Sequence, residues 1–315
     1  MSNPDLIQTP VLVSIIIRSM DRTTLIETLA SVALQTCDGI EVILVNAKGG
    51  THSRVTDHFN RFPVRFVNQG GASLTRPEAA NAGLDGATGQ YLAFLDDDDA
   101  LDPDHVSGLL TAAQAEGGEA VVYAGVRCIE RGDEAQKITR IFGAPLESTA
   151  QLLAGNFIPI HAPLFPSHLR QHARYDETLT TYEDWDFWLQ LAERTRFVYT
   201  HKVTATYFTG GTSGVSPQEP DMDAVRLATR VLFSKWMTRA PDEFRNICNL
   251  YHVTSAELQK CREEMISLAC EIAEVRLQHA ILEKQLNTLR SSRSWTWTQP
   301  LRRLSTGLGS LIARL

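Results

Sequence analysis

The sequence predicts an α/β protein with a mostly parallel sheet and helices on both faces, followed by a C-terminal α-helical coiled coil. Three observations carry this. Apolar runs of strand length alternate with helix-periodic segments through the first half. Those strands lack polar alternation, as a sheet covered on both sides requires. From Leu258 onward, apolar residues recur at alternating steps of three and four. The expected divisions are an α/β domain over 1–240, a coiled-coil helix over 241–291 and a basic amphipathic tail over 292–315. The 315 residues are 43% hydrophobic and 21% charged, which excludes a disordered chain and leaves material for a sizeable core.

The first strand is the β-rich run Val11–Ile17. A helix follows over Thr23–Gln35, with Leu25, Ile26, Leu29, Val32 and Ala33 at helical spacing. Gly39 breaks the chain before a buried strand at Ile40–Val45. Pro63–Val67 reads as a short strand and Pro77–Leu84 as a helix. Tyr91–Leu95 is a strand running straight into Asp96–Asp99. Ala120–Val126 and Ile138–Phe142 are further strands around the polar turn 131–135. Asn156–Phe165 reads as extended, Tyr182–Ala192 as helical, and Gly210–Gly214 as a loop by composition.

The heptad stripe comprises Leu258, Cys261, Met265, Leu268, Ile272, Val275, His279, Leu282, Leu286 and Leu289. It predicts homo-oligomers through a coiled coil, with His279 as the polar core position that fixes register or strand number. The alternative is an amphipathic helix folded onto its own domain. In the tail, Leu301, Leu304, Leu308, Leu311, Ile312 and Leu315 share one helical arc, with Trp295 and Trp297 upstream. That pattern fits peripheral membrane contact through 295–315, or docking on a partner protein. Charge is divided the same way. The net is −7, yet residues 1–283 carry 24 basic against 37 acidic side chains, a net −13, and no acid follows Glu283. An acidic body disfavours nucleic acid as a partner.

The first residues show no basic segment leading into a long apolar run, and 11–17 is too short to span a bilayer. The five cysteines are widely spaced, with no CxxC pair. They read as reduced thiols of a cytoplasmic protein.

The acids Asp96, Asp97, Asp98 and Asp99 close an apolar strand at the sheet edge where α/β proteins bind ligands. Carboxylates at this density repel one another and call for a cation. Hard oxygen donors suit Mn²⁺ or Mg²⁺ bridging to substrate phosphates. A competing role is helix capping by Asp102 before Pro103, and by Asp99. In Thr181–Trp188, Asp184 among tryptophans is a candidate base with a raised pKa, or half of a capping box with Thr181. Arg76 suits a diphosphate and Asn81 sugar or phosphate oxygens, although Arg76 also reads as the solvated start of a helix. No GxxxxGK[ST], GxGxxG, GxSxG or HExxH pattern occurs, and His52, His58, His161, His168 and His172 show no metal-ligand spacing.

Taken in order, Val13–Arg22, Ala30–Thr36, Ile40–Asn46, Arg76–Gly83, Gly89–Asp99 and Glu183–Asp186 resemble the inverting family 2 glycosyltransferases of GT-A fold, over about residues 11–215. The resemblance implies a glycosyltransferase of hexosyltransferase type that moves a sugar from a nucleotide-sugar donor, a UDP-sugar foremost, to an acceptor hydroxyl. It implies Asp184 as general base and Asp98 as metal ligand, with Asp99 and Glu183 as further site acids. Ser19, Asp21, Arg22, Asn46, Asp96 and Asp97 are implied around the nucleotide, and Arg76 at the diphosphate. Asn46 stands where many relatives carry Asp, and Tyr207–Gly211 replaces the usual Arg-x-His segment. The tail Ser292–Arg302 is similar to endings of bacterial surface-polysaccharide enzymes. That similarity implies O-antigen or capsule assembly on a glycan or lipid-linked acceptor, at the inner face of the cytoplasmic membrane. The alternatives are a non-catalytic scaffold assembled through its coil, and a nucleotidyltransferase, which the glycine-free Arg18–Arg22 loop disfavours.

Overall fold

The computed structural model describes residues 12–53, 58–131, 138–209 and 222–293. The chain divides into two units, 1–247 and 248–315. The glycine-rich segment 210–214 and the tail from 294 onward, with its apolar arc, lie outside the described residues.

Strand β1 (Val13–Ser19) leads through helix α1 (Leu25–Ala33) to β2 (Ile40–Asn46). Every residue of both strands is buried, as their largely apolar composition requires, and the polar Ser14 and Glu41 bond to each other at 2.6 Å. β3 (His58–Phe59), β4 (Phe62–Val67), α2 (Arg76–Gly86), β5 (Tyr91–Asp96) and β6 (Ala100–Leu101) follow. Next come α3 (His105–Ala115), β7 (Val121–Glu130), β8 (Ile138–Phe142), α4 (Thr149–Ala154) and β9 (Pro163–Pro166). The described chain continues with α5 (Glu183–Ala192), β10 (Phe197–Thr209), α6 (Met222–Arg239) and α7 (Pro241–Ser291).

The strands share a sheet of order β3-β4-β2-β1-β5-β9-β7-β10-β6, with β8 on β7. β4, β2, β1 and β5 are parallel, as expected from helices alternating with strands. Beyond β5 the sheet is mixed. β9 runs antiparallel to both β5 and β7, whereas β10 is parallel to β7. Of the Asn156–Phe165 stretch read as extended, only its end joins a strand, at Pro163–Pro166.

Two local devices fix the parallel half. Thr75 and Glu78 form a reciprocal capping box that starts α2. Gly83 then lets α2 approach β1, since a Cβ there would lie 2.3 Å from Ile16 Cγ2. The capping role read for Asp102 is not adopted. Asp104 is the N-cap of α3 and makes no side-chain cap bond among the described residues, while the Asp102 carboxylate pairs with Arg127.

Helix α5 is anchored by aromatics. Phe187 packs on Tyr175 with ring centroids 4.3 Å apart and meets Phe94 and Phe165 edge-on. Trp185 Nε1 donates to the Leu152 carbonyl at 2.6 Å and Trp188 Nε1 to the Ile158 carbonyl at 3.1 Å. Rings of this size bury much apolar area while their N–H groups stay satisfied. α6 buries Ala228, Leu232 and Trp236. α7 spans 241–291, with the division between units falling inside it, and the side chains over 251–291 are exposed. Among the described residues no helix is long and apolar enough to cross a membrane.

Candidate active site

The parallel register assembles the floor of a site. Ser19 pairs with Asn46, and Arg18 with Asp96, at the C-terminal ends of β1, β2 and β5. Arg18 is buried, and a charge there must be paired. Its Nη2 donates to Asp96 Oδ1 at 2.7 Å and Oδ2 at 3.0 Å, and its Nε to Oδ1 at 2.9 Å. Nη1 donates to Glu183 Oε1 at 2.9 Å. One guanidinium therefore ties β1 and β5 to the first turn of α5. Burial alone would raise the Asp96 carboxyl, but Arg18 and then Arg76 outweigh it and hold it below the usual range.

A cavity of about 460 Å³ opens above this floor. Arg18, Arg76, Asp96, Asp98, Glu183 and Asp184 line it, with Phe157, Tyr182 and Tyr207 also in its wall. Among the described residues Arg76 has no hydrogen bond or ion pair, so its charge is available to an anion. Asp184 accepts from its neighbour Trp185 N at 2.8 Å and from Asn156 Nδ2 at 3.3 Å. Its low-dielectric surroundings, and next the charge of Glu183, push its pKa up to about 7. That suits a general base working near neutrality. The capping box read between Thr181 and Asp184 is absent. Tyr182 is the N-cap of α5, held at φ 63°, and makes no side-chain cap bond.

The four strand-end acids have four different surroundings. Asp96 pairs with Arg18, and Asp98 stands in the cavity wall. Asp97 is buried behind it, accepting from Met20 N at 2.7 Å, Ser19 Oγ at 3.2 Å and Arg22 Nη1 at 3.0 Å. Arg22 Nη1 also reaches Asp98 at 2.9 Å. Burial raises both Asp97 and Asp98. Asp99 is buried and accepts from Phe208 N at 2.9 Å, while its Oδ2 lies 3.3 Å from His161 Nδ1. Burial first, then Asp96 and Asp98, raise Asp99 well above the carboxylate range. His161 lines the cavity with its ring against Tyr207, and burial lowers its pKa to about 4.

This donor set fits a divalent ion held lightly by protein. Asp98 offers carboxylate oxygen at the cavity wall, in a cluster whose excess negative charge Arg22 only partly offsets. Among the described residues no three His, Cys, Asp or Glu side chains converge as a metal cage. Water and substrate oxygens would complete the coordination, as is usual for Mg²⁺.

Ser19, Asp21 and Asn46 line a neighbouring buried cluster instead of the cavity. Ser19 Oγ lies 3.0 Å from His52 Nε2, and Asp21 accepts from Ser53 at 2.9 Å and Lys48 at 3.1 Å. Asn46 Nδ2 donates to the Gly50 carbonyl at 2.6 Å, and among the described residues its buried Oδ1 meets no hydrogen-bond donor. A small hollow of about 60 Å³, walled by Met20, Ala47 and Leu74, shares Arg76 and Asp96 with the main cavity. Asn81 is engaged away from the cavity. Its Nδ2 donates to the Tyr175 carbonyl and to Glu177, and its Oδ1 accepts from Tyr175 N, so it latches α2 to the segment before α5.

Sequence reasoning passed over Arg18, His52 and His161. Arg18 carried a usable signal, because a cation at the end of a buried, largely apolar strand must find buried acids. His161 sat in an apolar stretch, where a ligand and a core histidine look alike.

Comparison with known proteins accords with this geometry. Residues 14–180, more than half of the chain, match the family model described as Glycosyl transferase family 2. EpsH of Bacillus subtilis (strain 168), which carries a glycosyltransferase name, is 33% identical over 107 residues. That alignment covers 32% of this chain and 30% of EpsH. Among solved structures, S. aureus TarS 1–349 in complex with UDP-GlcNAc superposes with a TM-score of 0.54 at 14% identity. It covers 72% of this chain and 66% of that one. Crystalline S. aureus TarS gives a TM-score of 0.52 at 14% identity, over 76% of this chain and 43% of its own. The likeness to TarS is one of fold.

Proposed function

The chain belongs to glycosyl transferase family 2, and we propose that it moves a sugar from a nucleotide-sugar, with inversion, to an acceptor hydroxyl. One observation carries the reading. Asp184, with its pKa raised to about 7, shares a cavity with Arg76, Asp96 and Asp98. A base and an anion-binding group thus face the same space.

Asp184 takes the proton of the acceptor hydroxyl as its oxygen attacks the anomeric carbon. The bond from that carbon to the donor phosphate oxygen breaks on the opposite face. Arg76 stabilises the departing diphosphate. Asp98, with Asp99 behind it, would hold Mn²⁺ or Mg²⁺, which supplies further charge neutralisation at the diphosphate. Asp96, Asp97, Ser19, Asp21, Arg22 and Asn46 shape the nucleoside side, and Glu183 sets the charge beside the base. The TarS complex holds UDP-GlcNAc, which supports a UDP-sugar as donor. The acceptor is a glycan or lipid-linked intermediate of surface-glycan assembly. The catalytic domain occupies 1–240, the helix over 241–291 joins copies of the chain, and 295–315 contacts the inner face of the membrane.

The test is a thermal-shift panel of UDP, GDP, CMP and dTDP, with and without Mn²⁺, on wild type and Asp98→Ala. A ligand at 100 times its Kd stabilises by about 2.7 kcal/mol. The expected result is a metal-dependent rise with UDP that Asp98→Ala abolishes. No shift at millimolar nucleotide would return the chain to the scaffold reading.

A further inference from the structure

Helix α7 leaves an apolar seam open to solvent. Leu258, Met265, Leu268, Ile272, Val275 and Leu282 are each more than half exposed. A stripe of that kind on so long a helix demands a partner helix. The charges beside the seam say which partner, and in which direction.

With Leu258, Met265, Ile272, His279 and Leu286 at a, and Cys261, Leu268, Val275, Leu282 and Leu289 at d, the flanking positions follow from the sequence. Position g carries Glu257, Glu264 and Glu271 before Gln278 and Gln285. Position e carries Arg262, Ala269, Arg276, Glu283 and Arg290. In a parallel, in-register pair, each g residue meets the e residue five positions later on the other helix. Glu257 then faces the partner's Arg262, and Glu271 faces the partner's Arg276, each twice by symmetry. Glu264 meets Ala269, Gln278 meets Glu283 and Gln285 meets Arg290, so no like charges are opposed. In an antiparallel pair g meets g and e meets e, so the Glu257–Arg262 and Glu271–Arg276 pairs of the parallel register are lost.

We propose that the seam of α7 is occupied by the same seam of a second copy of this chain, parallel and in register. The inference rests on the self-association proposed above and adds its direction. It also places Cys261, an exposed d-position thiol, opposite its own counterpart across the coil. Cys270, at an outward f position, has no such neighbour.

The experiment uses the full chain with Cys248→Ser and Cys270→Ser. Sedimentation gives the oligomeric state, and diamide then oxidises facing thiols to a disulfide while being itself reduced to the hydrazine. A parallel register gives an oligomer that becomes covalent through Cys261 and no longer does so in Cys261→Ser. Arg276→Glu should weaken association roughly threefold to tenfold, and adding Glu271→Arg should restore it. An oligomer that resists cross-linking at Cys261, and that adding Glu271→Arg to Arg276→Glu does not restore, overturns the parallel register and leaves self-association standing. A monomer at tens of micromolar overturns both.

Discussion

Asp184 and Asp186 stand two residues apart in the first turn of α5, and their surroundings are opposite. Asp186 is fully buried, and both its oxygens are engaged. Trp236 Nε1 donates to Oδ1 at 2.8 Å, while Lys235 Nζ at 2.8 Å and Gln190 Nε2 at 2.7 Å donate to Oδ2. Asp184 faces a cavity, and its side-chain donor, Asn156, is 3.3 Å away. Lys235 gives Asp186 a counter-charge, whereas Asp184 has the like charge of Glu183 beside it. A carboxylate with both oxygens engaged and a counter-charge beside it holds structure together, and one kept desolvated without a cation of its own is ready to take a proton.

Three substitutions probe this contrast. Asp184→Asn removes the proton acceptor while keeping the shape. Transfer is expected to fall roughly 10²- to 10⁴-fold with an unchanged thermal midpoint. A variant that keeps near wild-type turnover removes Asp184 from the role of base. Asp186→Ala should act on stability instead. It strands the Trp236 indole and leaves Lys235 with Asp176 as its remaining acid, at a cost of about 2–4 kcal/mol read as a lower denaturant midpoint. A midpoint within error of wild type would mean that α6 is held without this hub.

The smallest effect is electrostatic. Because Asp184 must be ionised to act, kcat/KM should climb with pH through a limb near 7. Glu183→Gln removes the like charge that helps to raise Asp184, so the base ionises more readily and the limb moves to lower pH. A limb that stays put, or moves upward, assigns it to another group.

How much of this was legible beforehand differs by element, for physical reasons. β1, β2 and β5 were readable because a strand buried on both faces must be an apolar run. β10 was not. It is half-exposed in its first part and carries His201 and Lys202 on its surface. Its pairing with β7 is irregular between Tyr199 and Ala205, where His201 is held at φ 57°. α6 also escaped notice, since three buried residues in eighteen leave a weak periodic signal. In the site, the strand-end acids announced themselves by their number. Nothing local could say which of Asp184 and Asp186 faces the cavity. That choice is made by Lys235 and Trp236, about fifty residues downstream.

The bonds of Arg18 have a consequence for how the protein acquires its cavity. They join residues 78 and 165 positions apart along the chain. A guanidinium cannot leave water before its acids arrive, and closing loops of such length costs entropy that only later contacts recover. The floor of the cavity is therefore set late, after the parallel strands have met. The matched family segment ends at residue 180, three positions short of Glu183. A fragment cut there would hold Arg18 and Asp96 but lack both the second acid and the base, and would begin to fold around a charge it could not fully bury.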